Sequence, residues 1–138
     1  MNNNTTQHIP EQNIKNLLML LDGASRYTQY ARQGIDQNDA KLRNENISKV
    51  ITILSQLDAA LDKSVGGEIA ENLSGLYKFL MNQLTQANIQ DDSSLLDDAE
   101  KILKDIKDAF DGAAKNYLKE AHDPHHAGTQ GRGLTIDI

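Results

Sequence analysis

Cysteine and tryptophan are absent from this 138-residue sequence, proline occurs twice, and aromatic residues make up 4% of the chain. Without cysteine, the chain has no disulfide, no thiolate metal site and no thiol nucleophile of its own. The formal charge is −6, whereas nucleic-acid-binding proteins present clustered basic side chains and often stack bases on aromatic rings. We therefore expect no nucleic-acid partner and a fold that depends on apolar packing.

Long hydrophobic runs are also absent. The longest covers positions 17 to 21, whereas a helix needs about 20 apolar residues to cross a bilayer. The N-terminal residues combine neither a basic start nor the apolar stretch of a signal peptide. We expect a single domain that does not insert into membranes and resides in the cytoplasm.

Helical periodicity is what the sequence does contain, because apolar residues recur at spacings of three and four between the two prolines. The first predicted helix covers about positions 12 to 33 and ends at Gly34 as its C-cap. Asn38 or Asp39 is predicted to cap the second helix, and Gly66 and Gly67 to form the turn that ends it. The predicted apolar stripes are Ile14, Leu17, Leu21, Ala24, Thr28 and Ala31 in the first helix, and Ile47, Val50, Leu54, Leu57 and Leu61 in the second.

The third predicted helix follows the two glycines and runs to a turn at positions 88 to 92, after which Ser93 or Ser94 can cap a fourth. The stripes are Ile69, Leu73, Leu76, Leu80, Leu84 and Ala87 in the third helix, and Leu95, Ala99, Ile102, Ile106, Ala109, Phe110, Ala113 and Tyr117 in the fourth. Short connections favour an all-α, antiparallel four-helix bundle over residues 1–122. We expect a flexible N-terminal arm at about 1–13 and a flexible C-terminal tail at 123–138.

Candidate catalytic and metal-binding patterns are confined to the end of the chain. Four side chains with metal-ligand chemistry surround Pro124: His122, Asp123, His125 and His126. They lie where the last helix is ending, with no second shell to hold their rotamers. Positions 128 to 133 resemble a phosphate-binding loop only in their glycines. We therefore expect no enzyme, no metal site and no cofactor.

An acidic stretch covers positions 91 to 111, with eight acidic side chains against Lys101, Lys104 and Lys107. Two interpretations are open. It can form the solvated face of the fourth helix, with favourable carboxylates in the first turn, or it can bind a partner.

The apolar stripes are wider than a helix packed on one side requires, which is an arc of little more than 100°. The additional residues lie beside the seams: Leu18, Met19 and Leu20 in the first helix, Ile51 and Ile53 in the second, and Tyr77, Phe79 and Met81 in the third. One interpretation is a thicker core with scattered surface apolar residues. The other is a groove between helices that a second amphipathic chain fills.

Two motifs resemble a known family. Gly66-Gly67-Glu68-Ile69-Ala70-Glu71-Asn72-Leu73, continuing through Leu76-Tyr77, Leu84 and Ala87-Asn88, strongly resembles the central signature of the bacterial flagellar export chaperone FliS. Met19-Leu20-Leu21-Asp22-Gly23-Ala24 is similar to that family's first-helix motif, although Leu21 stands where tyrosine is usual. The resemblance covers about positions 15 to 118 and implies a four-helix bundle without catalysis.

The same resemblance implies that the chain binds the C-terminal helical segment of flagellin and keeps it unpolymerised in the cytoplasm until export, with other flagellar export components as further partners. The residues expected to line the groove for this segment are Leu20, Leu21, Ile51, Ile53, Ile69, Asn72, Leu76, Tyr77 and Leu80. The alternative is a helical adaptor without catalysis, whose apolar surface pairs with a second copy in a homodimer.

Overall fold

The structure, a computed structural model, describes the backbone of residues 3–122 and the side chains of residues 14–62, 64, 66–113 and 115. Four helices make up this part of the chain: α1 (Asn3–Asp36), α2 (Ala40–Ala59), α3 (Lys63–Gln90) and α4 (Ser94–His122). Each helix packs against two neighbours, since α1 and α3 both contact α2 and α4. The arrangement confirms the all-α bundle, with a main core enclosed by the four helices and a small second cluster around Ile14.

The first helix is longer than the prediction at both ends. It begins at Asn3 and continues to Asp36, so the prediction that Gly34 is a C-cap is wrong. Gly34 is buried inside the helix, where a Cβ would lie 2.5 Å from the backbone nitrogen of Arg43. Glycine at this position lets α1 and α2 meet closely. The left-handed backbone that ends the helix falls at Asn38, with φ 56°.

The second helix begins as predicted, because the Asp39 side chain accepts a hydrogen bond from the backbone nitrogen of Leu42 at 3.0 Å. It ends earlier than predicted, at Ala59, with Ala60 as its C-cap. The chain therefore reverses at positions 60 to 62, before the two glycines.

The double glycine lies inside α3, which corrects the prediction that it forms the turn. Asp62 caps α3 by accepting from the backbone nitrogen of Ser64 at 3.1 Å. Gly67 then interrupts the helix with φ 57° and ψ −128°, a conformation that only glycine adopts readily. Regular helix in α3 starts after this kink. To this extent the structure confirms that the third helix follows the two glycines.

The connection from α3 to α4 is short. Asp91 adopts the left-handed conformation with φ 54° and ends α3, and Asp92 accepts hydrogen bonds from both the backbone nitrogen and the hydroxyl of Ser94 at 2.9 and 2.7 Å. The fourth helix starts at Ser94, within the predicted pair of capping serines. These contacts fix the antiparallel turn.

The core confirms most of the predicted stripes of α1 and α2, where Leu17 and Leu61 are only partly buried, and part of those of α3 and α4. The predicted residues that are buried are Ile14, Leu21, Ala24, Thr28 and Ala31 in α1, and Ile47, Val50, Leu54 and Leu57 in α2. Five further residues are buried as predicted: Leu80, Leu84 and Ala87 in α3, and Ala99 and Ile106 in α4. In α3, Ala70, Ser74 and Tyr77 are buried, whereas Ile69 and Leu76 are 51% and 40% exposed. In α4, the buried residues Leu96 and Leu103 were not in the predicted stripe, and Ala109 is exposed.

The predicted tail at 123–138 lies outside the described residues, as do the side chains of Tyr117 and of the histidine set around Pro124. Flexibility of the arm and of the tail stays a prediction.

Candidate functional site

An open apolar groove of about 480 Å³ lies between α3 and α4. Its α3 wall consists of Ile69, Asn72, Leu73 and Leu76, and its α4 wall of Asp105, Ile106, Ala109, Phe110 and Ala113. Seven of these nine side chains are apolar. The groove is therefore suited to the apolar face of another chain.

The groove exists because the facing residues differ in size and because little else joins the two helices. The α3 wall carries the large side chains of Ile69, Leu73 and Leu76, whereas the α4 wall includes the small residues Ala109 and Ala113 beside Ile106 and Phe110. Of the four helix interfaces, the one between α3 and α4 is the least extensive in the part of the chain that the structure describes. The floor is firm, since Ile106 is buried and Phe110 packs against the core.

The exposed apolar residues of the α3 wall form a stripe. Ile69 and Leu76 are separated by seven residues, which places them on the same face about 10 Å apart along the helix axis. Asn72 lies between them and is exposed. Phe79, which is 44% exposed, continues the same line beyond the groove. The stripe matches the spacing with which an amphipathic helix presents its own anchors.

The nine groove residues expected from the sequence fall into three groups. Ile69, Asn72 and Leu76 line the groove. Leu20, Ile51 and Ile53 are partly buried and pack against the core. The remaining three, Leu21, Tyr77 and Leu80, are at most 1% exposed and belong to the core itself.

Tyr77 is a core residue that also faces a polar contact between α2 and α3. Burial, with a smaller contribution from the nearby Asp58 carboxylate, raises the pKa of the Tyr77 phenol above its ordinary value. Asp58 accepts a hydrogen bond from the hydroxyl of Ser74. This cluster fastens α3 to α2 and leaves the opposite side of α3 to the groove.

The α4 wall was not predicted to line a groove, although its four apolar residues belong to the predicted stripe of the fourth helix. Asp105 was not singled out at all. The signal that could have identified this wall is the pair of small residues at a spacing of four, Ala109 and Ala113, because small side chains on a helix face leave room beside a neighbouring helix.

Polar contacts hold α4 to α1, on the side away from the groove. Arg32 donates to both carboxylate oxygens of Glu100 at 3.0 and 3.1 Å and also to Asp97. The hydrogen bond to Glu100, followed by that to Asp97, raises the pKa of Arg32 above its ordinary value. Lys107 donates to Asp22 at 3.0 Å, which lowers the pKa of that carboxyl.

No side-chain hydrogen bond or ion pair joins α3 to α4 among the side chains that the structure describes. The groove is thus a mainly apolar seam, and the ion pair of its lining residue Asp105 stays within α4. Within the same residues, no group of three or more His, Asp or Glu side chains is placed to hold a metal ion. None of the described helices has the length and apolar character needed to cross a membrane.

Comparison with known proteins places the chain in a family. The family model for the flagellar protein FliS matches residues 2–117. The flagellar secretion chaperone FliS of Salmonella typhimurium is 40% identical over 93 residues, which cover 67% of this chain and 69% of that protein. The corresponding proteins of Vibrio cholerae and Bacillus subtilis are 35% identical over 99 residues and 30% identical over 105 residues, covering 72% and 76% of this chain and 73% and 77% of their own lengths.

Proposed function

This chain belongs to the FliS family of flagellar proteins, and from that membership we propose that it is a flagellar secretion chaperone. Its client is the C-terminal helical segment of flagellin, which it holds in the groove between α3 and α4. Binding takes place in the cytoplasm and prevents premature polymerisation before export. Other components of the flagellar export apparatus are further candidate partners.

The observation that carries the proposal is the unpaired apolar stripe of α3 facing an open groove. Ile69 and Leu76 expose about half and two fifths of their surface to solvent. A segment that pairs with other segments in a filament is itself amphipathic, and it exposes apolar surface until it finds a partner. Covering both surfaces at once removes apolar area from water, at roughly 25 cal/mol per Å².

Asn72 gives the groove one neutral polar group between its apolar residues. Its side-chain amide can donate and accept hydrogen bonds, and we propose that it contacts the client backbone where the segment bends. The function needs no bond chemistry. The relatives' names describe chaperones, in keeping with a protein that we expect not to be an enzyme.

The test measures binding of a synthetic flagellin C-terminal segment by isothermal titration calorimetry, with Ile69→Asp as the groove variant. This substitution removes an apolar anchor and places a charge in the interface without a partner, so affinity should fall at least about tenfold. Ile89→Asp is the matched control, because Ile89 is on the same helix, is 71% exposed and lies outside the groove. Its affinity should stay within about twofold of the wild type.

Two results would contradict the proposal: no binding of the segment to the folded wild type, or equal weakening by both substitutions. Circular dichroism of each variant verifies that the helices remain. The homodimer alternative is decided by light scattering with and without the segment. A one-to-one complex supports the chaperone, whereas a dimer whose mass the segment leaves unchanged supports self-association.

A further inference from the structure

Charge is divided unevenly between the two halves of the bundle. Positions 63 to 115, which include α3 and most of α4, carry 10 acidic and 6 basic side chains, whereas positions 14 to 62 carry 6 of each. The half that forms the groove therefore has a net charge of −4, and the half behind it is neutral. A partner that approaches the groove meets a negative field, which attracts basic segments and repels acidic ones.

Asp105 is the charged residue among the described side chains that line the groove. Its side chain is 64% exposed, and its ion pair is with Lys101, four residues earlier in the same helix, at 3.6 Å. Such an exposed ion pair contributes little to stability, so the Asp105 carboxylate can readily exchange Lys101 for another cationic partner. The Asp105 carboxylate is thus available to a ligand, unlike Glu100, which Arg32 holds through two hydrogen bonds.

The two walls of the groove differ in their polar groups. The α4 wall carries the carboxylate of Asp105, and Asp98 lies seven residues earlier on the same helix face, about 10 Å along the axis. The polar group of the α3 wall is the neutral Asn72. Among the described lining residues, a helix with a basic residue beside its apolar stripe gains a charge pair when that basic side faces α4.

We propose that the groove selects amphipathic helices that carry lysine or arginine beside the apolar stripe, and that Asp105 is the residue that makes this selection. The inference rests on the proposed function and specifies the client that the groove accepts. Apolar contacts supply most of the affinity, and the Asp105 pair fixes which way the client helix is rotated. An acidic flank is rejected because it places like charges together.

The test uses two synthetic peptides with the same leucine stripe, one with lysine and one with glutamate at the flanking positions. Calorimetry should show that the wild type prefers the lysine peptide by about tenfold. Asp105→Lys should reverse this preference. Asp105→Asn should reduce it by about fivefold, the upper range for an exposed charge pair. Raising the salt from about 0.05 to about 0.5 M should shrink the wild-type preference, because salt screens exposed charges.

Asp108→Lys is the matched control, since it changes the net charge equally. Asp108 lies outside the groove lining and pairs with Lys104 at 2.8 Å, so this variant should retain most of the wild-type preference. Equal affinity of the wild type for both peptides, or equal effects of the two lysine substitutions, would overturn the inference.

The flagellin segment, tested in parallel, separates the two proposals. If it binds the wild type while neither Asp105 variant changes any peptide preference, the inference fails and the chaperone function stands. If it does not bind while the lysine peptide does, the groove selects basic helices but the proposed client is wrong.

Discussion

The interface between α1 and α2 is closely packed, whereas the interface between α3 and α4 is partly open. Where α1 meets α2, the helices lie so close that a Cβ on Gly34 would collide with the backbone of Arg43. Where α3 meets α4, a groove of about 480 Å³ remains open. The comparison teaches that a small bundle can pack one interface closely and leave another open to a partner.

The polar contacts follow the same division. The residues that tie α4 to the rest of the bundle, Arg32 with Glu100 and Lys107 with Asp22, reach toward α1. The opposite face of α4 turns toward α3 with apolar side chains and Asp105. As a result α4 is anchored from behind and can serve as the wall of a binding site.

The largest expected effect is the difference in free energy of unfolding between a core substitution and a groove substitution on neighbouring turns of α3. Leu80→Ala removes a side chain with no solvent exposure, so it should lower the free energy of unfolding by about 2 to 5 kcal/mol. Leu76→Ala removes one that is 40% exposed and should cost less than about 1 kcal/mol. Urea denaturation measures both. If the two costs are equal, Leu76 is buried in solution and the groove is closed.

The next effect tests the close contact between α1 and α2. Gly34→Ala should destabilise by about 1 to 3 kcal/mol, because the added methyl group meets backbone that cannot rotate away. Gly75→Ala is the control, since a Cβ at this exposed position in α3 would meet no atom within 4 Å. It should stabilise by about 0.5 to 1 kcal/mol through helix propensity. The comparison fails if both alanines change the unfolding midpoint in the same direction.

A smaller effect concerns the attachment of α4 to α1. Arg32→Gln removes the two hydrogen bonds to Glu100 and the one to Asp97. The side chains of Arg32 and Glu100 are 28% and 31% exposed. We expect a loss of about 1 kcal/mol, of which Arg32→Lys should recover only part, because lysine lacks the forked geometry. Arg26→Gln, which breaks an exposed contact to Asp22, should leave the unfolding curve unchanged. Full rescue by lysine would mean that charge alone matters.

The smallest expected effect is a pH dependence at the Asp22–Lys107 contact. The hydrogen bond and charge of Lys107, with a lesser contribution from Arg26, hold the pKa of Asp22 below its ordinary 3.8 in the folded state. The ionised form therefore stabilises the fold above the unfolded-state value, and this contribution is lost as the pH falls through the lower folded-state value.

Asp22→Asn should accordingly be less stable than the wild type at neutral pH and equal to it in strong acid, as measured by urea denaturation at both pH values. Lys107→Gln should show the same neutral-pH loss. A difference between wild type and Asp22→Asn that persists below the titration range would point to packing instead of charge.

Much of the fold could be predicted, and the errors have a common cause. The stripes of α1 and α2 and the Asp39 cap are where the sequence placed them, because periodicity and capping depend on residues close together in the chain. In α3 the predicted stripe includes Ile69 and omits Ala70. The structure buries Ala70, because hydrophobicity by itself does not set how closely two helices can meet.

The candidate site was predicted only in part for the same reason. Ile69, Asn72 and Leu76 line the groove, but Tyr77, a shoulder residue of the predicted stripe, is in the core. Side chains of adjacent residues in a helix point about 100° apart. An error of one position in assigning the buried face therefore exchanges a core residue for a surface residue. The residues of the α4 wall could not be identified from the sequence of α4, because they depend on how α3 packs beside it.

By itself, then, the sequence determined four helices, the start of α2, the turn between α3 and α4 and the family motifs, because these follow from the order of residues along one segment. Only the tertiary structure decided that α1 and α2 would close tightly around Gly34 while α3 and α4 would leave a groove between Leu76 and Ala109. The physical reason is that burial depends on two facing surfaces. Whether a side chain fills the space between two helices depends on the size of the side chain opposite it.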